Sequence, residues 1–426
     1  MKRLYIASLV LATASYGLFS CESKREVKEE KVVQTEAKQK TTVERISARS
    51  YPSIFQAWYG IDMPEQYPTE TLEQRLDAAA KHDLLWEEPL SQLGEGVDLV
   101  LGLEWAGTHD GLSDTFDPES LAKAKANKAR LLEKNPNMVL LFEVRWRDAP
   151  SSFLPKDSPW WLRNKNGEIE KGWLGGWEPF YLLNYDNPEF QDNVARQCKL
   201  ALESGVYDGV MFDWSGHLDI IKKTRAAIGQ EGLIIVNIHD DIEDGEKYAP
   251  YINGSFMELN PIDDKSLEVK GILGGDTNRN GRKWKKMREA LTFFESHFQA
   301  PVINCLETWG NRDDLSRMRA VTTLGLTHSD GYTLYADPNP LKTPDHYHDW
   351  YPFWDVELGN PLTKVTTRED GAFQREYTKG TVIYNEWQNG PVTIQFEQKR
   401  KRASDGSVDQ TFELDDRDGD IFLSLN

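Results

Sequence analysis

The sequence predicts a (β/α)8 TIM barrel followed by an all-β sandwich domain, and three observations predict this fold. Between residues 51 and 360, short runs rich in β-branched and aromatic residues alternate with amphipathic segments. Eight such runs are present, and strands that alternate with helices pair in parallel and close into a barrel. After residue 360 the helical periodicity stops and short alternating runs follow. An open doubly wound sheet is the structural alternative, but no glycine-rich phosphate loop follows the first run.

The predicted elements follow from local composition in chain order. The barrel strands are 54–59, 98–105, 138–144, 207–214, 233–239, 255–259, 301–307 and 331–335. The helices between them are 71–81, 118–134, 187–204, 218–228, 283–298 and 313–326, several of which open with Asp, Asn or Thr at the N-cap. The fifth crossover, 240–253, has the weakest helical pattern. The sandwich, 361–426, is predicted to contain strands 365–368, 372–377, 381–385, 392–397, 410–414 and 421–425.

The amino-terminal residues predict export and attachment to a membrane. A short basic start and an apolar run, 4–11, precede Leu18-Phe19-Ser20-Cys21, which resembles a bacterial lipobox. Residues 1–20 are therefore predicted to be a lipoprotein signal peptide. Cys21 is predicted to be lipidated and to anchor the protein to a bacterial membrane, on the periplasmic or the cell-surface side. The alternative is an ordinary secretory signal with a chance cysteine. Residues 21–50, rich in Lys, Glu, Gln and Thr, are predicted to form a disordered tether.

Charge and composition narrow the class of partner. The chain has 69 acidic and 50 basic residues and a net charge of -19. An acidic protein without a basic stripe is not expected to bind nucleic acid. The 14 tryptophans favour a different partner, because aromatic rings stack against sugar rings. The two cysteines after the tether, Cys198 and Cys305, lie in apolar patterns and are predicted to be buried and free.

Polar side chains stand at or just after seven of the eight predicted strands, where the active site of a barrel lies. They are Glu104, Glu143 with Arg145, Asp213, His239 with Asp240, Glu258, Glu307 and Asp337. Tryptophans fall near the same ends, namely Trp58, Trp105, Trp146, Trp214 and Trp309. Carboxylates ringed by aromatic residues are typical of a carbohydrate cleft. Each carboxylate taken singly is equally compatible with a structural ion pair.

Three motifs carry a family resemblance that spans roughly residue 52 to the end. Residues 207–214, Tyr-Asp-Gly-Val-Met-Phe-Asp-Trp, resemble the fourth strand of several barrel glycosidase families. Residues 334–351 resemble the close of the barrel, and 375–385 the hairpin that opens the terminal β-domain, of the hypothetical glycoside hydrolases of bacteria. The resemblance implies a poly- or oligosaccharide substrate and a two-carboxylate mechanism. It supplies the fold and the class of reaction, but neither the sugar nor the linkage.

The resemblance also implies roles for individual residues. Asp213 is expected to be the nucleophile or base, and either Glu258, the preferred choice, or Glu307 is expected to be the acid. The residues expected to bind substrate are Trp58, Glu104, Trp105, Glu143, Arg145, Trp214, His239, Trp309 and Asp337.

Other readings remain open at this point. A loop at 276–281 begins like a calcium loop, but Met287 occupies the position of the bidentate glutamate, so a polar turn is favoured. His346 and His348 are better explained by hydrogen-bonded loop packing than by a metal, and no cofactor is predicted. The alternative functions are a carbohydrate-binding surface lipoprotein without catalysis and a metal-dependent deacetylase or esterase. The last is disfavoured because no Gly-x-Ser-x-Gly motif or triple metal-ligand motif is present.

Overall fold

The computed structural model describes residues 40–58, 66–89, 99–173, 179–261, 281–337 and 346–425. The predicted signal peptide, Cys21, the tether up to residue 39 and nearly all of the calcium-like loop lie outside these residues. Within them, no helix combines the length and the apolar character needed to cross a bilayer.

Eight parallel strands form the barrel, and the predicted fold class is confirmed. The strands are Phe55–Gln56, Leu84–Glu87, Val139–Glu143, Gly209–Phe212, Leu233–Asn237, Gly254–Pro261, Cys305–Trp309 and Tyr332–Ala336, hydrogen-bonded in that order. A parallel bridge between Ile54 and Thr333 joins the first strand to the eighth and closes the ring. Nearly every strand residue is buried, because the barrel interior covers one face and the helices cover the other.

The connecting helices confirm the helical periodicity of the sequence. They are Leu72–Ala79, Pro118–Lys134, Pro188–Glu203, Leu218–Ile228, Ile242–Tyr248, Trp284–His297 and Leu315–His328. Thr71, Asp117, Asn187 and Asp314 accept backbone N–H groups at the N-caps, as predicted. The fifth crossover, which had the weakest pattern, contains a helix of only seven residues. Cys198 and Cys305 are free and buried, as expected.

The predicted second strand, 98–105, is wrong. The strand at this position is Leu84–Glu87, a run of four buried residues that is too short to stand out in the sequence. The apolar run after it is held as a loop, because Val100 and Leu101 donate their backbone N–H groups to the carboxylate of Glu87 instead of to a neighbouring strand. Leu101 N lies 3.1 Å from both carboxylate oxygens. Burial raises the pKa of Glu87 to about 8.

The predicted tether ends earlier than residue 50. Thr42–Ala48 is a helix with a capping box between Thr41 and Glu44. Its Arg45 is buried and pairs with Asp208 at the amino end of the fourth strand, where Lys128 also lies 3.3 Å from the same carboxylate. A buried ion pair of this kind makes residues 42–48 part of the folded body.

After the eighth strand the described part of the chain resumes at residue 346. Residues 346–358 place Tyr351, Phe353 and Trp354 in the core. Trp354 donates to Thr322 on the helix Leu315–His328 at 3.0 Å. His348 is buried against His82, with their Nε2 atoms 3.0 Å apart. Hydrogen-bonded loop packing is therefore the observed environment of His348.

The buried histidines predict a loss of stability in mild acid. Burial lowers the pKa of His348 to about 4 and that of His328 to about 3, and it also lowers the pKa of His82. In the unfolded chain these histidines have pKa values near 6.5 and take up protons below that pH, whereas in the folded chain they stay neutral. The free energy of unfolding therefore falls as pH drops from about 6.5 towards 4. We expect a loss of about 3 kcal/mol from His348 alone.

Denaturant unfolding at several pH values measures this effect. His348→Asn should flatten the pH dependence, whereas the exposed His297 is the matched control and His297→Asn should leave it unchanged. An equal slope in wild type and His348→Asn would contradict the assignment.

The carboxyl-terminal domain is all-β, as predicted, and it packs against the barrel. Its strands are Thr366–Thr367, Phe373–Tyr377, Gly380–Asn385, Val392–Arg402, Val408–Leu414 and Asp418–Ser424, hydrogen-bonded into one antiparallel sheet. Val382 and Tyr384 belong to the barrel core, whereas Ile383 between them belongs to the domain's own core, so this strand is buried on both faces. Arg319 of the last barrel helix pairs with Asp418 at 2.7 Å.

Candidate active site

The strand register places one set of side chains inside the barrel. In-register residues of neighbouring parallel strands share a face, and Glu143 pairs with Met211, Met211 with Ile235, Asn237 with Phe256, and Glu258 with Glu307. Ring contacts across the barrel identify that face as the interior, since Phe256 lies 5.1 Å from Trp86 between ring centroids, although their strands are not adjacent. Glu143, Asp213, Asn237, Glu258 and Glu307 therefore converge at the carboxyl end of the barrel.

Asp213 and Glu258 share one hydrogen-bond donor. Asn237 Nδ2 donates to Asp213 Oδ1 at 3.0 Å and to Glu258 Oε2 at 3.2 Å. The two carboxylate oxygens are consequently no farther apart than the sum of these distances. Asp213 and Glu258 are both partly exposed.

Asp213 is held through one of its two oxygens. Oδ1 accepts the bond from Asn237 and a second one from the backbone N–H of Trp214 at 3.0 Å. Among the described residues, no hydrogen-bond donor is found for Oδ2. Trp146 Nε1 fixes the backbone by donating to Asp213 O at 2.8 Å. Burial raises the pKa of Asp213, and the bond from Asn237 and the charge of Arg145 oppose this rise.

Arg145 lies in a cluster of buried carboxylates beside Asp213. It binds Glu88 through two guanidinium nitrogens and lies 3.7 Å from Glu143. Glu143 also accepts a hydrogen bond from Trp58 Nε1. Burial, together with the charges of Glu88 and Asp213, raises the pKa of Glu143 well above its usual range, although Arg145 opposes the shift.

Glu307 is fully buried and its carboxylate faces His346. His346 Nδ1 lies 2.8 Å and 2.9 Å from the two carboxylate oxygens. The His346 ring stacks on Trp58, with centroids 4.8 Å apart and planes 26° apart. Glu307 thus lies beneath these rings with zero exposed area, which separates it from the more open Asp213 and Glu258.

Backbone strain is concentrated at the same end of the barrel. Positive φ angles occur at Trp58 (45°), Trp214 (67°), His239 (51°) and His346 (68°), four of the six such non-glycine residues in the described part of the chain. Non-glycine residues avoid this conformation, and it persists mainly where function or surrounding structure imposes it. The strain therefore points to the mouth of the barrel as the functional end.

The structure places three predicted site residues away from this cluster. Glu104 is exposed, and its backbone carbonyl accepts from Asp117 at the start of a helix instead of ending a strand. Trp105 is buried and stacks on Phe116 at 4.1 Å. Asp337 follows the eighth strand but pairs with Arg312 at 2.9 Å. Glu104 and Trp105 were predicted as site residues because the second strand was wrongly placed at 98–105.

The other predicted residues lie at the strand ends. Trp214 is partly exposed, with the guanidinium of Arg147 4.1 Å from its ring centroid. His239 is partly buried just after the fifth strand. Trp309 ends the seventh strand and is buried, and no described residue accepts a hydrogen bond from its Nε1.

Sequence reasoning missed Glu88, Asn237 and His346 as site residues. Glu88 follows the strand that was misplaced, and Asn237 is a neutral residue two positions before the more conspicuous His239. A scan for polar residues of any charge at strand ends would have found Asn237. Among the described residues, no three His, Cys, Asp or Glu side chains converge as a metal site requires.

The sequence matches no protein-family model and no curated protein. Solved structures nevertheless share its fold. An α-amylase from Lactobacillus plantarum superimposes with a TM-score of 0.54 at 14% identity, over 90% of this chain and 100% of that one. An α-amylase from Malbranchea cinnamomea gives 0.54 at 12% identity, over 90% and 97%. A pullulanase from Anoxybacillus sp. LM18-11, complexed with maltotriose, gives 0.52 at 11% identity, over 88% and 69%. At these identities the likeness is one of fold.

Proposed function

We propose that this protein is a glycoside hydrolase that cleaves a poly- or oligosaccharide at the cell surface by a two-carboxylate mechanism. The observation that carries the proposal is the pair Asp213 and Glu258, which are held by one amide at the open end of the barrel. Glycoside cleavage requires one carboxylate to attack and one carboxylic acid to protonate the leaving oxygen. Fold neighbours that are an α-amylase and a pullulanase complexed with maltotriose support the same class of reaction.

The distances favour retention of anomeric configuration. One amide nitrogen holds an oxygen of each acid, at 3.0 Å and 3.2 Å, and retaining enzymes keep their two carboxyl groups closer together, at roughly 5–5.5 Å, than inverting enzymes do, at roughly 6.5–9.5 Å. In our assignment, Asp213 Oδ2 attacks the anomeric carbon while Glu258 gives its proton to the departing oxygen. Glu258 then takes a proton from water, and the resulting hydroxyl displaces Asp213 from the anomeric carbon.

Glu258 suits the acid role better than Glu307. Glu307 has both oxygens beside His346 Nδ1 and no exposed area, so a glycosidic oxygen has no route to it in this conformation. We assign the contacts with the sugar to the partly exposed residues around the pair, namely Trp58, Arg145, Trp214 and His239, whereas the predicted residues Glu143 and Trp309 are buried.

We also propose that Cys21 carries the lipid that holds the protein at the membrane. Cys21→Ala should release the protein into the soluble fraction and leave its activity on small soluble glycans unchanged, because the site lies in the barrel. Fractionation and an activity assay of both forms test this. A variant that stays with the membrane would contradict the lipid anchor, and Cys198→Ala is the matched control.

A glycan panel tests the proposed activity. The purified protein is incubated with maltotetraose, pullulan, β-glucan, xylan and mannan, and new reducing ends are measured, with Asp213→Asn as the control. We expect at least one glycan to be cut by wild type only. If the protein binds glycans but releases no reducing ends, the hydrolase proposal is wrong and the alternative, a carbohydrate-binding surface protein, takes its place.

A further inference from the structure

Asn237 differs from the other buried asparagines of the barrel in that its side chain joins two carboxylates. Asn253 Oδ1 accepts from Ile234 N at 3.0 Å and from Arg225. Asn127 Nδ2 donates to Leu101 O at 3.1 Å, and Asn304 Nδ2 donates to a single carboxylate, that of Glu295, at 3.2 Å. Asn237 instead directs both of its observed side-chain hydrogen bonds to the two carboxylates, at the end of the fifth strand between them. Its side chain therefore contributes to the geometry of the pair, while its backbone belongs to the strand register.

An amide is suited to this position because its nitrogen carries two hydrogens. One hydrogen serves each carboxylate, so rotation of either acid away from the other breaks a bond. Donor bonds are stronger to an ionised carboxylate than to a neutral acid, and the amide therefore favours the ionised form of Asp213, whereas Glu258, the acid of our assignment, can accept the bond on its unprotonated oxygen. Histidine or lysine at this place would add a charge, and aspartate would repel both partners.

The side-chain oxygen of Asn237 is buried without a hydrogen bond from any described residue, which is unfavourable for stability. Asn237 is only 4% exposed, and in the described part of the chain its Oδ1 has no hydrogen-bond partner. A buried acceptor left unpaired is unfavourable, and such groups in native proteins call for a functional explanation. An apolar residue of similar size would avoid this cost but would release both carboxylates.

We propose that Asn237 is the positioning residue of the site, fixing Asp213 and Glu258 at their working separation and keeping the attacking carboxylate ionised. The inference rests on the proposed glycosidase function. By anchoring Asp213 through Oδ1, Asn237 and the Trp214 N–H leave Oδ2 as the attacking atom. Asn237 forms no bond with the reacting atoms in this assignment, so its effect on the rate passes through the pair.

Asn237→Ala tests the catalytic part of this inference. We expect kcat to fall about 100-fold with little change in KM, as for misplaced catalytic groups. The acid limb of the pH profile of kcat/KM should move to higher pH, because Asp213 loses a bond that lowers its pKa. An unshifted acid limb would overturn the inference, because replacing an asparagine with a merely structural role would lower the rate without shifting the pH profile.

A second measurement does not depend on any substrate. The loss of melting temperature caused by Asn237→Ala should be larger at pH 8 than at pH 4, because the bond to Asp213 weakens when that carboxylate is protonated. Asn127→Ala, which removes only bonds to backbone carbonyls, should cost the same at both pH values. A pH-independent loss for Asn237→Ala would overturn the inference even if the protein is active. If no glycan is cut, the proposed function fails, and the melting data still decide whether Asn237 holds Asp213 in its ionised form.

Discussion

Asp213→Asn should lower kcat by roughly 10⁴-fold while the affinity for glycan changes little. Asparagine keeps the shape of the side chain and can still accept the bond from Trp214 N, but it lacks the negative charge that attack on the anomeric carbon requires. Because desolvation raises the pKa of Asp213 and Glu143 lies close by, the charged form is held at a cost, and removing the charge should not lower the melting temperature.

The measurement is a rate on the glycan identified by the panel, together with a binding isotherm and a thermal melt. Asp219→Asn is the matched control, since Asp219 is an exposed acid at the start of the helix that follows Asp213. A variant that retains the wild-type rate would remove Asp213 from the catalytic role.

Arg145→Met should destabilise the fold by about 3–5 kcal/mol, the cost of leaving buried charge without its partner. Glu88 and Glu143 are both nearly inaccessible, and Arg145 contacts both. Burial raises the pKa of each carboxyl and Arg145 opposes the rise. In the variant these groups must either remain charged without a cation or take up protons, so the destabilisation should shrink as pH falls.

Urea denaturation at pH 8 and pH 5 measures this change. Arg130→Met is the control, because Arg130 pairs with Glu73 on the surface and such pairs contribute at most about 1 kcal/mol. Partial rescue of Arg145→Met by Glu88→Gln would support the ion-pair explanation. An equal loss at both pH values, without rescue, would contradict it.

The barrel was predictable because each layer leaves its own pattern in the sequence. Strands covered on both faces appear as continuous apolar runs, and helices such as Pro118–Lys134 and Pro188–Glu203 carry N-caps at their starts. The second strand was missed because composition does not reveal hydrogen-bond partners. The run 99–105 has the residues of a strand, but Glu87 takes the N–H groups that strand pairing would need.

The candidate site was predictable in its location but only partly in its membership. Parallel strands bring their carboxyl ends together, so Glu143, Asp213 and Glu258 were expected at one mouth. The bridge made by Asn237 and the stack of His346 on Trp58 depend on contacts between residues far apart in the chain. Neither the separation of the two acids nor the burial of Glu307 beneath His346 can be read from local patterns.

Azide rescue of alanine variants, with an activated aryl glycoside of the sugar that the panel identifies, tests the two-carboxylate assignment most directly. Azide that enters the space left by Asp213→Ala should attack the anomeric carbon and give a glycosyl azide of inverted configuration. With Glu258→Ala the covalent intermediate still forms on Asp213, and azide should give a glycosyl azide of retained configuration. Rescue of Glu307→Ala in place of Glu258→Ala, or no azide product from either Asp213→Ala or Glu258→Ala, would contradict the pairing of Asp213 with Glu258.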